Sequence, residues 1–392
     1  MPLTTIIDAS FGDVGKGAIV DRLAKDYDII TKNNGAANSG RSIVYNGEKY
    51  ICRILPSGIL NNNMLVIGQG VLLDLEVFLN ELKTFEKFNI LGRLMVSNKC
   101  HLLLPYHKQA DILNENKTNN KVGSTKNGVA FCVQDKVGRR GIRVIDVING
   151  QYEAGDVYYQ VMNNMEFWGI NVQKEIIDLC SHSLLLIDEF IKLNKKYNFC
   201  GDTGGFINKA LKENKKILNE AVNGTLLDIE SNSYPYVTST PCTAAGVCLG
   251  LNIAPKNLNK VIGITKAYTT RVGGGPFATE LFDSVGDEIR KNGNEFGSVT
   301  GRPRRVGWLN LDELIYANTV NGFDELAITK VDVFFGINPI KVLLNGKYVE
   351  MEGWSSIDDS AFWKYICLIK ETVGVNVKYI SYGPDRNDMR VL

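Results

Sequence analysis

Ile7–Asp21 reads IDASFGDVGKGAIVD. A strand-like run, Thr4–Asp8, enters a glycine turn. Lys16–Tyr27 leaves it with the apolar spacing of an amphipathic helix. Strand, glycine turn and helix together aim backbone N–H groups and a helix N-terminus at an anion. Gly12, Gly15 and Gly17 permit the turn, and Lys16 adds a point charge for phosphate. A Walker loop would read GxxxxGK[ST], its hydroxyl on magnesium. Here Ser10 takes the first glycine position, Gly17 takes the hydroxyl position, and Asp13 sits in the middle. A metal oxygen ligand must then come from elsewhere, and Asp13 is the obvious donor. The bland alternative is a tight strand–helix turn with a solvated acid.

Working outward, Ile29–Lys32, Met64–Ile67, Leu94–Val96, Val144–Val147, Val261–Lys266, Leu326–Thr329 and Val377–Ile380 read as strands. Asp74–Phe88 and Lys174–Asn198 read as helices. This alternation predicts an α/β fold with a large, mostly parallel central sheet flanked by helices, related to the P-loop NTPases. No linker or repeat divides residues 1–392, which predicts a single domain. Ligands in such folds bind at the carboxyl ends of strands.

Forty-four lysines and arginines balance 43 acids in 392 residues, which gives no general electrostatic case for a nucleic-acid or membrane partner. Eight cysteines show no CxxC pair and read as reduced thiols of a cytoplasmic protein. No apolar run reaches membrane-spanning length. Only three histidines occur, His101, His107 and His182, which limits any histidine-based mechanism.

Further loops follow strand-like runs. NNGAANSGRS, Asn33–Ser42, has the small residues and Asn38 that let backbone approach a ligand. GSTKNG, Gly123–Gly128, and DKVGRRGIR, Asp135–Arg143, carry hydroxyls and arginines suited to phosphate. SVTGRPRR, Ser298–Arg305, can hold a dicarboxylate by paired guanidinium contacts. In ITKVD, Ile328–Asp332, an acid two residues after a lysine can accept both guanine N1–H and N2–H. ISYGPDR, Ile380–Arg386, ends a strand in a turn. Each loop alone also fits an ordinary solvated turn.

In this order the stretches resemble adenylosuccinate synthetase. LPSGIL (Leu55–Leu60), GTLLDIE (Gly224–Glu230), YPYVTST (Tyr234–Thr240), KAYTTRVGGGPFATELFD (Lys266–Asp283) and GNEFG (Gly293–Gly297) extend the match along nearly the whole chain. The part between Asp332 and Ile380, toward the GTP-binding C-terminus, is shorter than usual for that family. The resemblance implies a GTP- and Mg2+-dependent ligase that joins L-aspartate to the 6-position of IMP through a 6-phosphoryl intermediate. It implies Asp13 as base and metal ligand, Gly40 as a second metal ligand, and Lys16 on the GTP phosphates beside Gly12, Gly15 and Gly17. Asn38, Thr125, Asn223, Thr238 and Val272 align with contacts to the purine nucleoside monophosphate. Arg139 aligns with a contact made across a homodimer interface. Thr300, Arg302 and Arg304 align with the aspartate loop; Lys330, Asp332, Ser381 and Gly383 align with the guanine pocket of GTP.

Several positions depart from the family pattern. Arg41 stands where the family uses a catalytic histidine, and can neutralise phosphate charge but not act as a general acid near neutral pH. Asn223 replaces a glutamine, Val14 a glutamate and Asn127 an arginine, and Phe131-Cys132-Val133 replaces a small, proline-containing run. Because these changes gather at the purine, two alternatives to the IMP reading stand beside it. One is a 2-aminoadenylosuccinate-type synthetase using dGMP or another modified purine nucleotide. The other is a catalytically impaired nucleotide-binding paralogue.

Overall fold

The computed structural model describes residues 2–117, 125–149, 154–170, 173–296 and 303–392. Among the described residues ten strands form the central sheet: β1 (Leu3–Asp8), β2 (Ile29–Lys32), β3 (Met64–Ile67), β4 (Leu94–Ser97), β5 (Cys200–Gly201), β6 (Ile217–Gly224), β7 (Lys260–Lys266), β8 (Glu325–Thr329), β9 (Val377–Ser381) and β10 (Met389–Val391). Their order across the sheet is β10-β9-β8-β7-β1-β6-β2-β3-β4-β5. Every neighbouring pair is parallel except β9 with β10. The predicted mostly parallel α/β sheet is therefore present.

Parallel strands here are covered on both faces, so their sequences read as continuous apolar runs. β1, LTTIID, is buried at every residue. Its consecutive residues Ile6 and Ile7 belong to different cores, as strand alternation requires. The Ile6 core contains Ile30, Leu65 and Phe78; the Ile7 core contains Trp308, Phe334, Trp354 and Tyr365.

A second, four-stranded sheet joins Tyr268–Arg271, Arg305–Asn310, Ile340–Leu344 and Lys347–Met351. A hairpin pairs Arg41–Tyr45 with Glu48–Cys52 through Asn46-Gly47, both with positive φ (53° and 77°) as a two-residue hairpin turn demands. Among the described residues no helix is long and apolar enough to cross a membrane.

One predicted element is of the other type. Val144–Ile148 is a short helix rather than a strand. The Asp146 carboxylate accepts the Arg143 backbone N–H at 2.8 Å, and this N-terminal cap overrides the strand preference of a Val-Ile-rich run. The Asp74–Phe88 helix ends earlier, as an α-helix over Leu75–Thr84 capped by Asp74 and followed by a 3-10 turn at Glu86–Phe88.

Candidate active site

Because the strands run parallel, the carboxyl ends of β1, β2, β6, β7, β8 and β9 share one edge of the sheet. Asp8 lies in register with Gly224 of β6 and Ile264 of β7. The first loop therefore leaves between two strand ends. It turns on left-handed backbone at Gly12 (φ 96°), Asp13 (φ 59°) and Gly15 (φ 77°). Asp is among the few side-chain-bearing residues that accept this conformation. The helix Lys16–Ala24, α1, then starts without a side-chain cap, leaving N–H groups of its first turn for a ligand.

Close approach explains two glycines. A Cβ at Gly224 would lie 2.0 Å from the Ser10 carbonyl oxygen, so the loop rests on bare backbone of β6. A Cβ at Gly17 would lie 2.9 Å from the Ser42 carbonyl oxygen. The hairpin that begins at Arg41 thus occupies the space where a Walker hydroxyl residue would stand.

Lys16 is buried at this loop. Its Nζ donates to Asp8 Oδ2 at 2.9 Å and to the Asn223 carbonyl at 2.8 Å, which uses two of its three donors. Asp8 also accepts the Ser10 backbone N–H and hydroxyl, at 2.8 and 2.9 Å. Sequence motifs single out neither Asp8 nor its hold on Lys16.

Asp13 carries the most informative contact. Arg304 Nη2 lies 3.2 Å from Asp13 Oδ2, and Arg304 Nη1 lies 2.7 Å from Glu295 Oε2. Glu295 Oε1 accepts Lys266 Nζ and Lys330 Nζ, each at 2.8 Å, and the Tyr268 hydroxyl at 2.6 Å. Burial pushes the Glu295 carboxyl up, but the Lys266 and Lys330 ammonium groups outweigh it and hold it well below the usual range. Burial, with the neighbouring Lys330 ammonium adding to it, draws Lys266 down to about 8 against the opposing pull of Glu295. Burial lowers the Arg304 guanidinium, yet Asp13 and Glu295 raise it overall.

Lys330 follows β8 in left-handed backbone (φ 57°) and its Nζ also donates to the Gly293 carbonyl at 2.7 Å. Two residues on, Asp332 Oδ1 is buried with no hydrogen-bond partner among the described residues, and burial raises its carboxyl above the usual range. Buried acceptors without partners are rare in folded proteins, so this oxygen fits an incoming N–H donor. Thr329 Oγ1 donates to the Val14 carbonyl at 2.8 Å, tying this strand end to the first loop. Ser381 ends β9 and is buried, its hydroxyl 3.3 Å from the Gly383 carbonyl. Arg386 Nε bonds Asp21 of α1 at 2.7 Å, docking the C-terminal turn on the first helix.

Arg41 occupies a different setting from the one its sequence suggests. It is 4 % exposed. Its Nε lies 3.1 Å from Glu220 Oε1, and Nη2 donates to the carbonyls of Arg53 at 3.1 Å and Leu55 at 2.7 Å. Glu220 also accepts the Ser57 N–H and hydroxyl, at 2.9 and 2.6 Å. The guanidinium is thus spent on the scaffold of the second loop, whose Gly40 is exposed and whose Asn38 is half-buried.

At the end of β6, Asn223 has left-handed backbone (φ 64°) and its amide lies 3.4 Å from Thr238 Oγ1. Val272 is exposed, beside the buried Arg271. Arg271 bonds the carbonyls of Gly274 and Tyr236, at 3.0 and 3.3 Å, and lies over Phe11 of the first loop at 4.3 Å. It thereby joins three loops that are separate motifs in the sequence. Thr125 and Arg139 are exposed, Arg139 with φ 60°. Gly123, Ser124, Thr300 and Arg302 lie outside the described residues. No three His, Cys, Asp or Glu side chains gather as a metal cage among the described residues.

Comparison with known proteins accords with this geometry. A family model described as adenylosuccinate synthetase matches residues 5–351. Adenylosuccinate synthetase of Thermodesulfovibrio yellowstonii is 38 % identical over 434 aligned positions, covering 99 % of this chain and 98 % of the relative. That of Flavobacterium psychrophilum is 39 % identical, covering 98 % of this chain and 99 % of the relative. The structure of fully ligated adenylosuccinate synthetase from Plasmodium falciparum superposes with a TM-score of 0.93 at 32 % identity over the full length of both chains. The cyanophage S-2L succinoaminodeoxyadenylate synthetase, solved with dGMP and dATP, has a TM-score of 0.70 at 17 % identity, covers 100 % of this chain and 95 % of its own, and shares the fold alone. The chain belongs to the adenylosuccinate synthetase family, ligases that form a C–N bond.

Proposed function

We propose that this enzyme joins L-aspartate to C6 of IMP, with GTP as phosphoryl donor. The observation that carries the reading is the Arg304–Asp13 contact at 3.2 Å. It brings the cation of the aspartate loop to the carboxylate of the phosphate loop, the two groups that sequential phosphoryl transfer and amine attack require side by side.

In this mechanism Asp13 takes the N1 proton of IMP, and O6 attacks the γ-phosphorus of GTP with departure of GDP. The aspartate amine then adds at C6, and phosphate leaves with the O6 oxygen. Lys16 and the N–H groups of Gly12, Gly15 and Gly17 hold the GTP phosphates. Asp332 accepts the guanine N–H donors, with the Lys330 stem against the ring and Ser381 and Gly383 beside it. Asn38, Thr125, Asn223, Thr238 and Val272 hold IMP. Arg304, with Thr300 and Arg302, holds the aspartate carboxylates by paired bonds. The Asp13 carboxylate and the Gly40 carbonyl would hold Mg2+, and the chemistry the ion would supply is charge neutralisation at the phosphoryl group. A site with one protein carboxylate suits that ion, which keeps substrate oxygens and water in its shell.

Arg41 takes a positioning role in this reading, holding the second loop through Glu220 instead of touching phosphate. A homodimer supplies Arg139 to the neighbouring site. Supporting this, Val137, Tyr159 and Phe167 are exposed on the two helices next to the Arg139–Arg140 turn, and Arg140 lies over Phe167 at 3.8 Å. Free cysteines throughout the described chain accord with a cytoplasmic setting.

The test supplies GTP, Mg2+ and L-aspartate with IMP, dIMP, GMP or dGMP in turn. GDP release that needs both aspartate and IMP is the expected result. Release with dGMP alone would replace IMP as the acceptor, and release with none would remove the ligase reading.

A further inference from the structure

We infer that Glu295 is a positioning residue that couples the guanine end of the active site to the aspartate end. The inference rests on the ligation reading above. Glu295 is 0 % exposed, so it meets no substrate directly. Its two oxygens divide between two parts of the site. Oε1 holds Lys330 from the guanine-side loop, together with Lys266 and Tyr268. Oε2 holds Arg304, whose other terminal nitrogen reaches Asp13. The backbone repeats the link, since the Arg304 N–H donates to the Glu295 carbonyl at 2.9 Å and Lys330 Nζ to the Gly293 carbonyl at 2.7 Å.

Neutralising one buried carboxylate needs one cation, and Lys266, 1 % exposed, supplies it. Lys330 and Arg304 are different. Their side chains are 31 % and 21 % exposed, and they come from separate loops that reach the substrate space. Among the described residues the four side chains that bond Glu295 are all donors, and its carboxylate is the acceptor they share. A base seated on Asp332 bears on the adjoining Lys330 stem. Any displacement of that ammonium is passed through Glu295 to Arg304, and so to the aspartate site and Asp13.

E295Q breaks this link while keeping the side-chain volume, because the new amide N–H2 meets only donors. In the assay of GDP release, E295Q is expected to raise KM for L-aspartate about tenfold or more and KM for GTP about three- to tenfold, with KM for IMP within about twofold. E295D, which keeps the charge, should restore part of the loss. Circular dichroism and thermal melting accompany each variant. Where E295Q does not fold, Tyr268→Phe removes one donor from Oε1 without a charge change. It should then raise the GTP and aspartate KM values together by about twofold or more. A folded variant whose three KM values match wild type overturns the inference, as does an equal loss on all three substrates. A wild-type protein inactive with every nucleotide would instead remove the ligation reading. Calorimetry then decides the coupling: aspartate strengthens GTP binding to wild type and not to E295Q, and equal behaviour of the two proteins overturns it.

Discussion

Two buried ionic clusters lie near the strand ends, and they are built to different rules. Beneath the second loop, Lys32 and Arg41 face Glu81 and Glu220, and none of the four exceeds 7 % exposure. Their remaining bonds go inward, Lys32 to the Arg53 carbonyl at 2.6 Å and Glu81 to the Leu55 N–H at 2.8 Å. Burial drives the Lys32 ammonium well below its usual range, with Arg41 adding to the effect. Around Glu295, Lys266, Lys330 and Arg304 face Glu295 and Asp13, and the chain of contacts runs out to Asp13, whose side chain is 30 % exposed. The first set is closed and balanced, and it holds shape. The second is open, with three cations to two carboxylates among the described residues, which is a source of positive potential. An arginine in each set looks alike in sequence; its partners decide whether it meets substrate.

Single substitutions can separate the two clusters. The largest effect is expected at the open end. Asp13→Asn should lower kcat by about 10²- to 10⁴-fold, the range of a lost general base, while GTP binding measured by calorimetry persists. At the closed end, Arg41→Met should cost about 3–5 kcal/mol of unfolding free energy in urea, because Glu220 is left buried and uncompensated. The protein that remains folded should keep most of its turnover. Collapse of turnover at unchanged stability would put Arg41 on the phosphate and erase the distinction between the clusters.

A smaller and selective effect is expected at Asp332. Asp332→Asn should raise KM for GTP by about 10- to 100-fold through the loss of a paired acceptor, and leave KM for IMP and aspartate nearly unchanged. Smallest is a pH effect on stability. Lys266 titrates at about 8 in the folded protein, against 10.5 for a lysine in water. Between those values the unfolded chain binds more protons, so stability rises with pH there and is lost as pH falls back through about 8. Lys266→Met should flatten that rise in denaturation curves recorded at successive pH values.

Much of the site was legible because its signals are local. Glycines, a lysine and an acid between an apolar strand and a helix identify the first loop without knowledge of its neighbours. Ile29–Lys32 and Met64–Ile67 were read with their observed bounds because buried parallel strands are continuous apolar runs. The same apolar continuity predicts a strand at Val144–Val147, where the chain forms a helix over Val144–Ile148. A short β-branched run has no period of its own, and a cap from Asp146 settled it as helix.

The parallel sheet, the glycine-rich loops at its strand ends and the family all follow from the amino-acid sequence alone. They rest on short-range pattern and on motif order. Which charges are spent and which are presented was settled only when the chain was packed in three dimensions. Glu295 stands 29 and 35 residues from the lysines it binds, and Arg41 meets a glutamate on a strand far along the chain. No local pattern encodes such pairings, because burial leaves a charge in place only beside the partner that folding brings to it.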